Sequence, residues 1–416
     1  MRTRRTNWSD PVAAKALIWL AIDDRKGNPR RPSSLPLTLY SDVVAPFLHF
    51  DTPLPNQLYV LGGRNHQQGP LDTVEMFDTW HGRWVPCPGM SMRRAGCAAA
   101  VLPDDRMLVV GGYDENGIVK GLLAHCEAFD AAAQQWNDIT PLLRARWGHG
   151  CASLGGLVYA VGGCSLRPGS PPRETFMETL KSCEVYDYTT GQWSPCADLH
   201  MARAGSRVVP IGTQYLAAVG GCDDVFGRAE MLATVEIFDA VLGRWSLLDT
   251  QLSTPRTTAA VAALEDGTVL VVGGAPSLAS VEAFHAEPGS VPSAQPSSGG
   301  STVAPNVADI PEGRMGCQAV AIQLPKEGDP YPLCTRSCIA VVGGENGDDD
   351  WEQDQARIRQ ISSVLVYDAG ENAWRPEPYF PPTTTPRTAM ALCVAHGKIR
   401  GYPTAAPSGA GAKGGG

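Results

Sequence analysis

Six arginines stand at one register of a repeating pattern: Arg94, Arg146, Arg203, Arg256, Arg314 and Arg387. A guanidinium binds a carboxylate or phosphate through two parallel hydrogen bonds, so a ring of them would make an anion site. The same arginines could equally hold a fold together, by bonding carbonyls or a carboxylate of their own or the next repeat. The sequence leaves both readings open. Trp147 and His149 follow Arg146. That indole either faces a ligand or fills space between repeats. Cys97 and Cys317 each lie three residues after a repeat arginine. A thiol there is a redox sensor if exposed and an inert small hydrophobe if buried.

Catalysis needs a constellation of unlike groups, and none is visible. Glu75, Glu127, Glu184, Glu236 and Glu282 share one register, so they read as repeat structure rather than as paired acid and base. There is no nucleophile motif or Gly-rich phosphate loop. The 12 Cys include no CxxC pair, and the closest two, Cys334 and Cys338, lack a His cluster. No metal and no cofactor is therefore expected. The acid-rich stretch Gly344–Gln355 lacks the spacing of a Ca²⁺-binding EF-hand and reads as a solvated loop. The expectation is a protein that is not an enzyme.

The chain has 416 residues, with 43% hydrophobic, 19% charged, 45 Gly and 34 Pro. Abundant Gly and Pro suit many short strands joined by tight turns. The net charge of −9 disfavours a general nucleic-acid binder, which must neutralise phosphates. No run of 18 apolar residues is present, so no membrane partner is expected. Ala16–Ile22 is apolar but short and is flanked by Asp10, Asp23 and Asp24, unlike a signal peptide. Scattered Cys inside apolar runs suggest a reduced setting, with a cytoplasmic location expected and the nucleus left open.

The elements that would position these residues repeat six times. Apolar runs end in Gly62-Gly63, Gly111-Gly112, Gly162-Gly163, Gly220-Gly221, Gly273-Gly274 and Gly343-Gly344, at intervals of 49, 51, 58, 53 and 70 residues. The runs (LYVL, MLVV, VYAV, LAAV, VLVV, IAVV) read as short buried strands. A second strand follows each pair and ends in an aromatic: Phe77, Phe129, Tyr186, Phe238, Phe284 or Tyr367. Asp follows in five repeats, and six residues after each Asp stands Trp84, Trp136, Trp193, Trp245 or Trp374. Gly82, Gly191, Gly243 and Asn372, two residues before four of those Trp, suit a left-handed hairpin turn. The fifth such position is Gln134. A strand-like stretch follows each repeat arginine, and the next Gly-Gly comes 16 or 17 residues later in the regular cases. After Arg314 it takes 29, because Gln323–Ser337 is inserted. Each unit is thus four short strands. One such sheet cannot bury both faces, but sheets packed around an axis can.

Gly-Gly, aromatic-Asp and a Trp six residues later, at about fifty-residue spacing, resemble the Kelch repeat over Gln57 to Ala395. The resemblance implies an all-β, six-bladed Kelch β-propeller. The expected organisation is an N-terminal extension over 1–54, a six-bladed propeller over 55–396 and a disordered tail over 397–416. Six Gly-Gly strands and six Arg-led strands exist, but the first Gly-Gly strand has no Arg-led strand before it and the last Arg-led strand has no Gly-Gly after it. Pairing these two would close the ring through the first blade and remove two sheet edges. Two alternatives stand: residues after Ala395 form a partial seventh blade, or they replace Leu58–Leu61. The fifth repeat has His285 in place of Asp and no Trp, then runs into the Ser/Pro/Gly-rich stretch Glu287–Pro305, which leaves its outer strand in doubt. In the extension, Ser9-Asp10-Pro11 before an apolar run reads as a capped helix, with either a BACK-like remnant or a plain extension as its meaning. Neither a BTB domain nor an F-box is visible.

In Kelch propellers the Arg-led strand is innermost, so the resemblance places the six arginines at one mouth of the central channel. Arg64 and Asn65 follow the first Gly-Gly, where Kelch-like substrate receptors contact acidic peptides. The loop Leu166–Lys181 has the mixed charge and Pro content of a recognition loop. The expected partner-binding set is therefore Arg64, Asn65, Arg94, Arg146, Trp147, Arg203, Arg256, Arg314 and Arg387. The partner is expected to be a protein, with an acidic peptide segment as one form. The implied role is an adaptor that recruits a partner, of ubiquitin-ligase type by resemblance. Alternatives are a cytoskeletal scaffold and a Kelch-type enzyme or specifier acting on a sugar or small molecule. The last would lack copper ligands, since the eight His show no such pairing.

Overall fold

Alternating apolar runs of four or five residues, punctuated by Gly-Gly and by Asp turns, fold here into antiparallel meanders. The computed structural model describes residues 57–78, 83–169, 176–225, 230–275, 278–286, 307–325, 335–347, 358–375 and 380–395. These form six blade sheets and three two-stranded hairpins. In a complete blade the Arg-led strand is first, followed by the Gly-Gly strand, the strand of the Glu register and the Trp strand. The second blade shows the order: Ala98–Val101, Met107–Val110, Cys126–Asp130 and Gln135–Ile139. The propeller unit spans Pro55–Leu324 and Thr335–His396. The expected N-terminal helix, the tail, the stretch Glu287–Pro305 and most of the acid-rich loop lie outside the described residues.

Closure follows the strand count. Ala391–Ala395 pairs with Gln57–Leu61, from Gln57 opposite Ala395 to Leu61 opposite Ala391. The C-terminal strand is thus the innermost strand of the first blade, and Leu58–Leu61 is not replaced. The fifth blade has three strands among the described residues: Ala260–Ala263, Thr268–Val272 and Val281–His285. Its sequence lacks the Trp that would anchor a fourth.

The core is not one mass. It is six apolar clusters, one between each pair of neighbouring blades. The Gly-Gly strands sit between two such clusters, so Met107–Val110 is buried at every residue. Each repeat Trp lies opposite its aromatic, with ring centroids 5.0–5.4 Å apart. Its indole N–H then donates across to the preceding blade's loop. Trp136 bonds the Pro88 carbonyl at 2.8 Å, Trp193 that of Thr140 at 2.9 Å and Trp245 that of Ala197 at 3.1 Å. An amphipathic ring therefore supplies both the apolar fill and a directional tie between blades. The hairpin turns before these Trp carry positive φ at Gln134, Gly191, Gly243 and Asn372. The turn geometry thus holds even where Gln stands in place of Gly or Asn.

Gly-Gly is required by a close approach between blades. Gly63 N–H donates to the Arg94 carbonyl of the next blade at 2.9 Å, and a Cβ on Gly62 would lie 2.7 Å from that same oxygen. The same bond recurs from Gly112 to Arg146, Gly163 to Arg203, Gly221 to Arg256, Gly274 to Arg314 and Gly344 to Arg387. Only a residue without Cβ can sit at φ near +60° with a carbonyl so close.

A second ring closes around the axis itself. Two residues after each repeat arginine stand Gly96, Gly148, Gly205, Thr258, Gly316 and Ala389, all with positive φ. Each donates its backbone N–H to the carbonyl of the preceding one, and Gly96 donates to Ala389, at 2.7–3.0 Å. Six hydrogen bonds thus form a closed cycle with every donor and acceptor used. Thr258 adopts φ +53° there, a poor conformation for a β-branched residue, and its hydroxyl is buried without a partner among the described residues. Thr258→Gly is expected to raise the unfolding free energy by about 1 kcal/mol. Urea titration of both proteins measures this. A loss of stability would mean that the Thr258 methyl packing on the Gly205 backbone outweighs the backbone strain.

Candidate functional site

Antiparallel pairing puts the Arg end of each innermost strand beside the Gly-Gly end of its neighbour. One face of the propeller therefore carries two loops per blade: Gly-Gly to Glu strand, and Trp strand to the next arginine. This Gly-Gly face is the candidate site.

The six repeat arginines are not open to that face. Arg94, Arg146, Arg203 and Arg387 are 0% exposed, and Arg256 and Arg314 are 1% exposed. Each guanidinium turns into its own blade. Arg94 donates to the Gly111 carbonyl at 3.2 Å, to the His125 carbonyl at 3.1 Å and to Glu127 at 2.7 Å. Arg146 pairs with Glu184 at 2.6 Å and Arg203 with Glu236 at 2.8 Å. Arg256 pairs with Glu282, and Arg387 with Glu75. In the sixth blade Leu365 takes the Glu position, and Arg314 bonds the Gly343 carbonyl at 3.3 Å and the Ser363 hydroxyl at 3.2 Å. The expected basin of six ligand-binding arginines is therefore corrected. The repeat glutamates give a buried guanidinium the charge partner that burial demands.

Those glutamates also set the loops. The second oxygen of Glu127 accepts from the Ser91 N–H at 2.9 Å, and that of Glu184 from the Leu143 N–H at 2.7 Å. Glu236 accepts from the N–H groups of His200 and Met201, Glu282 from those of Ser253 and Thr254, and Glu75 from that of Thr384. In all five blades an accepted N–H lies three residues before the repeat arginine. Each Arg–Glu pair thus clamps the loop that enters the blade and fixes how it meets the face.

Arg64 and Asn65 do reach the face. The Arg64 side chain is 41% exposed, and it pairs at 3.2 Å with Glu345, which follows the last Gly-Gly as Arg64 follows the first. Its charge is thus shared with this chain's own carboxylate. Asn65 accepts from the Gln68 N–H at 2.7 Å, which shapes its loop. Trp147 is half-buried, edge-on to Tyr113 with centroids 5.8 Å apart, and packs with Cys164, Met177 and Ala204. Its indole N–H has no partner among the described residues. Trp147 is therefore neither a fully exposed reader nor a full core residue. His149 is buried, and burial together with the Arg146 and Arg207 charges pushes its pKa down to about 3, so it stays neutral.

Cys97 and Cys317 are both buried. Burial raises the Cys97 thiol to about 11 and also raises that of Cys317, so neither is a reactive thiolate near neutral pH. Among the described residues no three His, Cys, Asp or Glu side chains converge to hold a metal ion.

What the sequence did not reveal is a set of exposed apolar side chains on one face. Val119, Leu143, Phe176 and Met231 are exposed large hydrophobics, and all four lie in Gly-Gly-face loops of blades 2, 3 and 4. Leu143 is 59% and Phe176 50% exposed. Arg144 steadies this region by bonding Ser165 at 3.0 Å and the Leu166 carbonyl at 2.7 Å, and by pairing with Glu178. It thereby holds the hairpin of Cys164–Leu166 and Met177–Thr179. The mixed loop Leu166–Lys181 signalled this place, although residues 170–175 lie outside the described set.

Comparison with known proteins agrees with this geometry. The model of the KLHDC2/KLHL20/DRC7 Kelch-repeats domain matches residues 49–274. Kelch-like protein 25 of Xenopus tropicalis is 26% identical over 55% of this chain and 36% of its own length. Human Kelch-like protein 23 is 22% identical over 76% of this chain and 47% of its own length. The chain thus spans between about a third and a half of the length of the curated relatives it matches. A solved structure of YjhT superposes with a TM-score of 0.53 at 14% identity, covering 73% of this chain and 88% of that one. At that identity the likeness speaks for the fold alone.

Proposed function

The chain belongs to the Kelch-repeat family, and on that premise we propose that its propeller is a protein-binding platform whose partner docks on the Gly-Gly face over blades 2–4. The observation that carries this is the placing of Val119, Leu143, Phe176 and Met231, exposed apolar side chains on loops of that one face. Exposed apolar groups gathered on one face mark interaction surfaces. Tyr113 and Trp147 add an aromatic pair of the kind that anchors interfaces. The Arg146–Glu184 clamp holds the Leu143 loop and Arg144 holds the hairpin beside Phe176 before binding, so less entropy is lost there on docking. The finer reading is a non-enzymatic adaptor in the cytoplasm that presents its partner for ubiquitination.

The test is affinity capture with quantitative mass spectrometry on the full chain and two folded variants. Leu143→Asp with Phe176→Asp alters the Gly-Gly face. Val241→Asp with Leu242→Asp alters an equally exposed hairpin tip on the opposite face. Partner recovery is expected to fall at least tenfold in the first variant and to stay unchanged in the second. The reverse pattern would move docking to the opposite face and sink the reading.

A further inference from the structure

Arg207 has no carboxylate partner among the described residues. Arg207 stands four residues after Arg203 on the innermost strand Arg207–Ile211 of the fourth blade. Its one hydrogen bond among the described residues is a long one, 3.5 Å from Nη2 to the Cys317 carbonyl. Cys317 leads into the innermost strand of the sixth blade, so the side chain reaches past the fifth blade. The central space is the direct route between two blades that are not neighbours. Arg207 Nε is buried with no partner, while the side chain as a whole keeps partial exposure. Both facts suit a group enclosed by protein that still faces a hollow channel.

Among the described residues the surroundings give this charge no neutralisation. At the same register the other blades carry Ala98, Gly150, Ala260, Gln318 and Ala391, so four of the five are the smallest side chains. The nearby His149 is buried and neutral, and the nearby Cys317 thiol is protonated. The carboxylates of Glu127, Glu184, Glu236, Glu282 and Glu75 are each committed to a repeat arginine and a loop N–H. An enclosed guanidinium without a carboxylate is costly unless an anion joins it.

We propose that the central channel carries an oxyanion site at Arg207, which takes a carboxylate or phosphate group on the guanidinium fork. The fork offers two parallel N–H donors to two oxygens of the anion, in a site shielded from bulk water. The site stands apart from the docking surface on the loops, and its fate does not depend on that reading. The oxyanion can come from a free small molecule or from an acidic side chain of a bound protein, and the chemistry at Arg207 is the same.

The experiment is equilibrium dialysis of the full chain against radiolabelled inorganic phosphate at fixed ionic strength, with unlabelled succinate as competitor. One phosphate per chain is expected, displaced by succinate. Arg207→Met keeps the length of the side chain and removes its charge, and is expected to lower phosphate affinity at least tenfold. Arg207→Lys keeps a charge without the fork and is expected to fall between the two. Without anion, Arg207→Met is expected to melt no lower than the parent, since an uncompensated charge is gone. Phosphate bound equally by the parent and Arg207→Met would overturn the proposal. So would a parent that binds neither anion, or an Arg207→Met protein that melts well below the parent, which would make Arg207 a structural tie. Displacement of phosphate by a captured partner assigns the natural oxyanion to that partner. Retention in the complex assigns it to a free anion.

Discussion

Arg203→Met is expected to destabilise the protein by about 3–5 kcal/mol, the cost of leaving a buried carboxylate without its cation. Arg203 and Glu236 are both 0% exposed at the side chain and lie 2.8 Å apart. Removing the guanidinium also frees the carbonyls of Gly220 and Thr234, which it bonds at 2.9 and 3.1 Å. Glu236 would then remain buried with the loop N–H groups of His200 and Met201 and the His200 ring nitrogen at 3.0 Å, but without its guanidinium. The double variant Arg203→Met, Glu236→Met is expected to lose less than the sum of the two single changes, because it leaves no lone charge. The pair also predicts acid sensitivity. Burial alone would raise the Glu236 carboxyl, but the His200 N–H, the Arg203 charge, the His200 side chain and the Met201 N–H together hold it below its ordinary value of 4.5. A lowered folded pKa means that the stabilisation is complete above the unfolded value. It is lost as pH falls from there through the folded value. Denaturant titrations of the four proteins at pH 7 and pH 4 measure both effects. Additive losses, or a stability for Arg203→Met equal to that of the parent, would refute the clamp.

The same arginines show what sequence could and could not give. Their register was plain, as was the register of the glutamates, because a repeat writes each position several times. That one register points at the other was not plain. Arg203 and Glu236 are 33 residues apart, and only the strand order brings them together. The ring closure was legible from counting, since an unpaired Gly-Gly strand and an unpaired Arg-led strand have one economical solution. The fifth repeat's missing Trp left its outer strand in doubt, and the described residues give that blade three strands. Exposure was illegible. Leu143 and Phe176 look like any apolar residue in the chain, and nothing in their spacing says that both stand on loop tips. Arg207 was hidden for the opposite reason. It breaks a register otherwise filled mostly by Ala and Gly, and a single departure within an innermost strand gains meaning only when the axis is known.

Ending the chain after Thr385 is expected to abolish cooperative folding, although it removes only one of the 29 described strands. The loss falls at the axis. Ala391–Ala395 is the innermost strand of the first blade, paired along its whole length with Gln57–Leu61. Its removal exposes the ladder edge of a strand whose residues 58–61 are fully enclosed, in a sheet with no other strand to replace it. Arg387 goes too, and with it the partner of Glu75 and the carbonyl that Gly344 bonds. The axial cycle opens at Ala389, so Gly96 loses its acceptor and Gly316 its donor. Met390 leaves the cluster between the sixth and first blades, and Ala391, Cys393 and Ala395 leave the one between the first and second. The truncated chain is therefore expected to show a broad, weak thermal transition and rapid proteolysis across all blades. Adding a synthetic peptide of residues 386–396 in trans is expected to restore part of the sharp transition, because the missing strand has a preformed edge to pair with. A truncated chain that melts as sharply as the parent would mean that the blades are stable without closure, and that each inter-blade cluster holds its neighbours unaided.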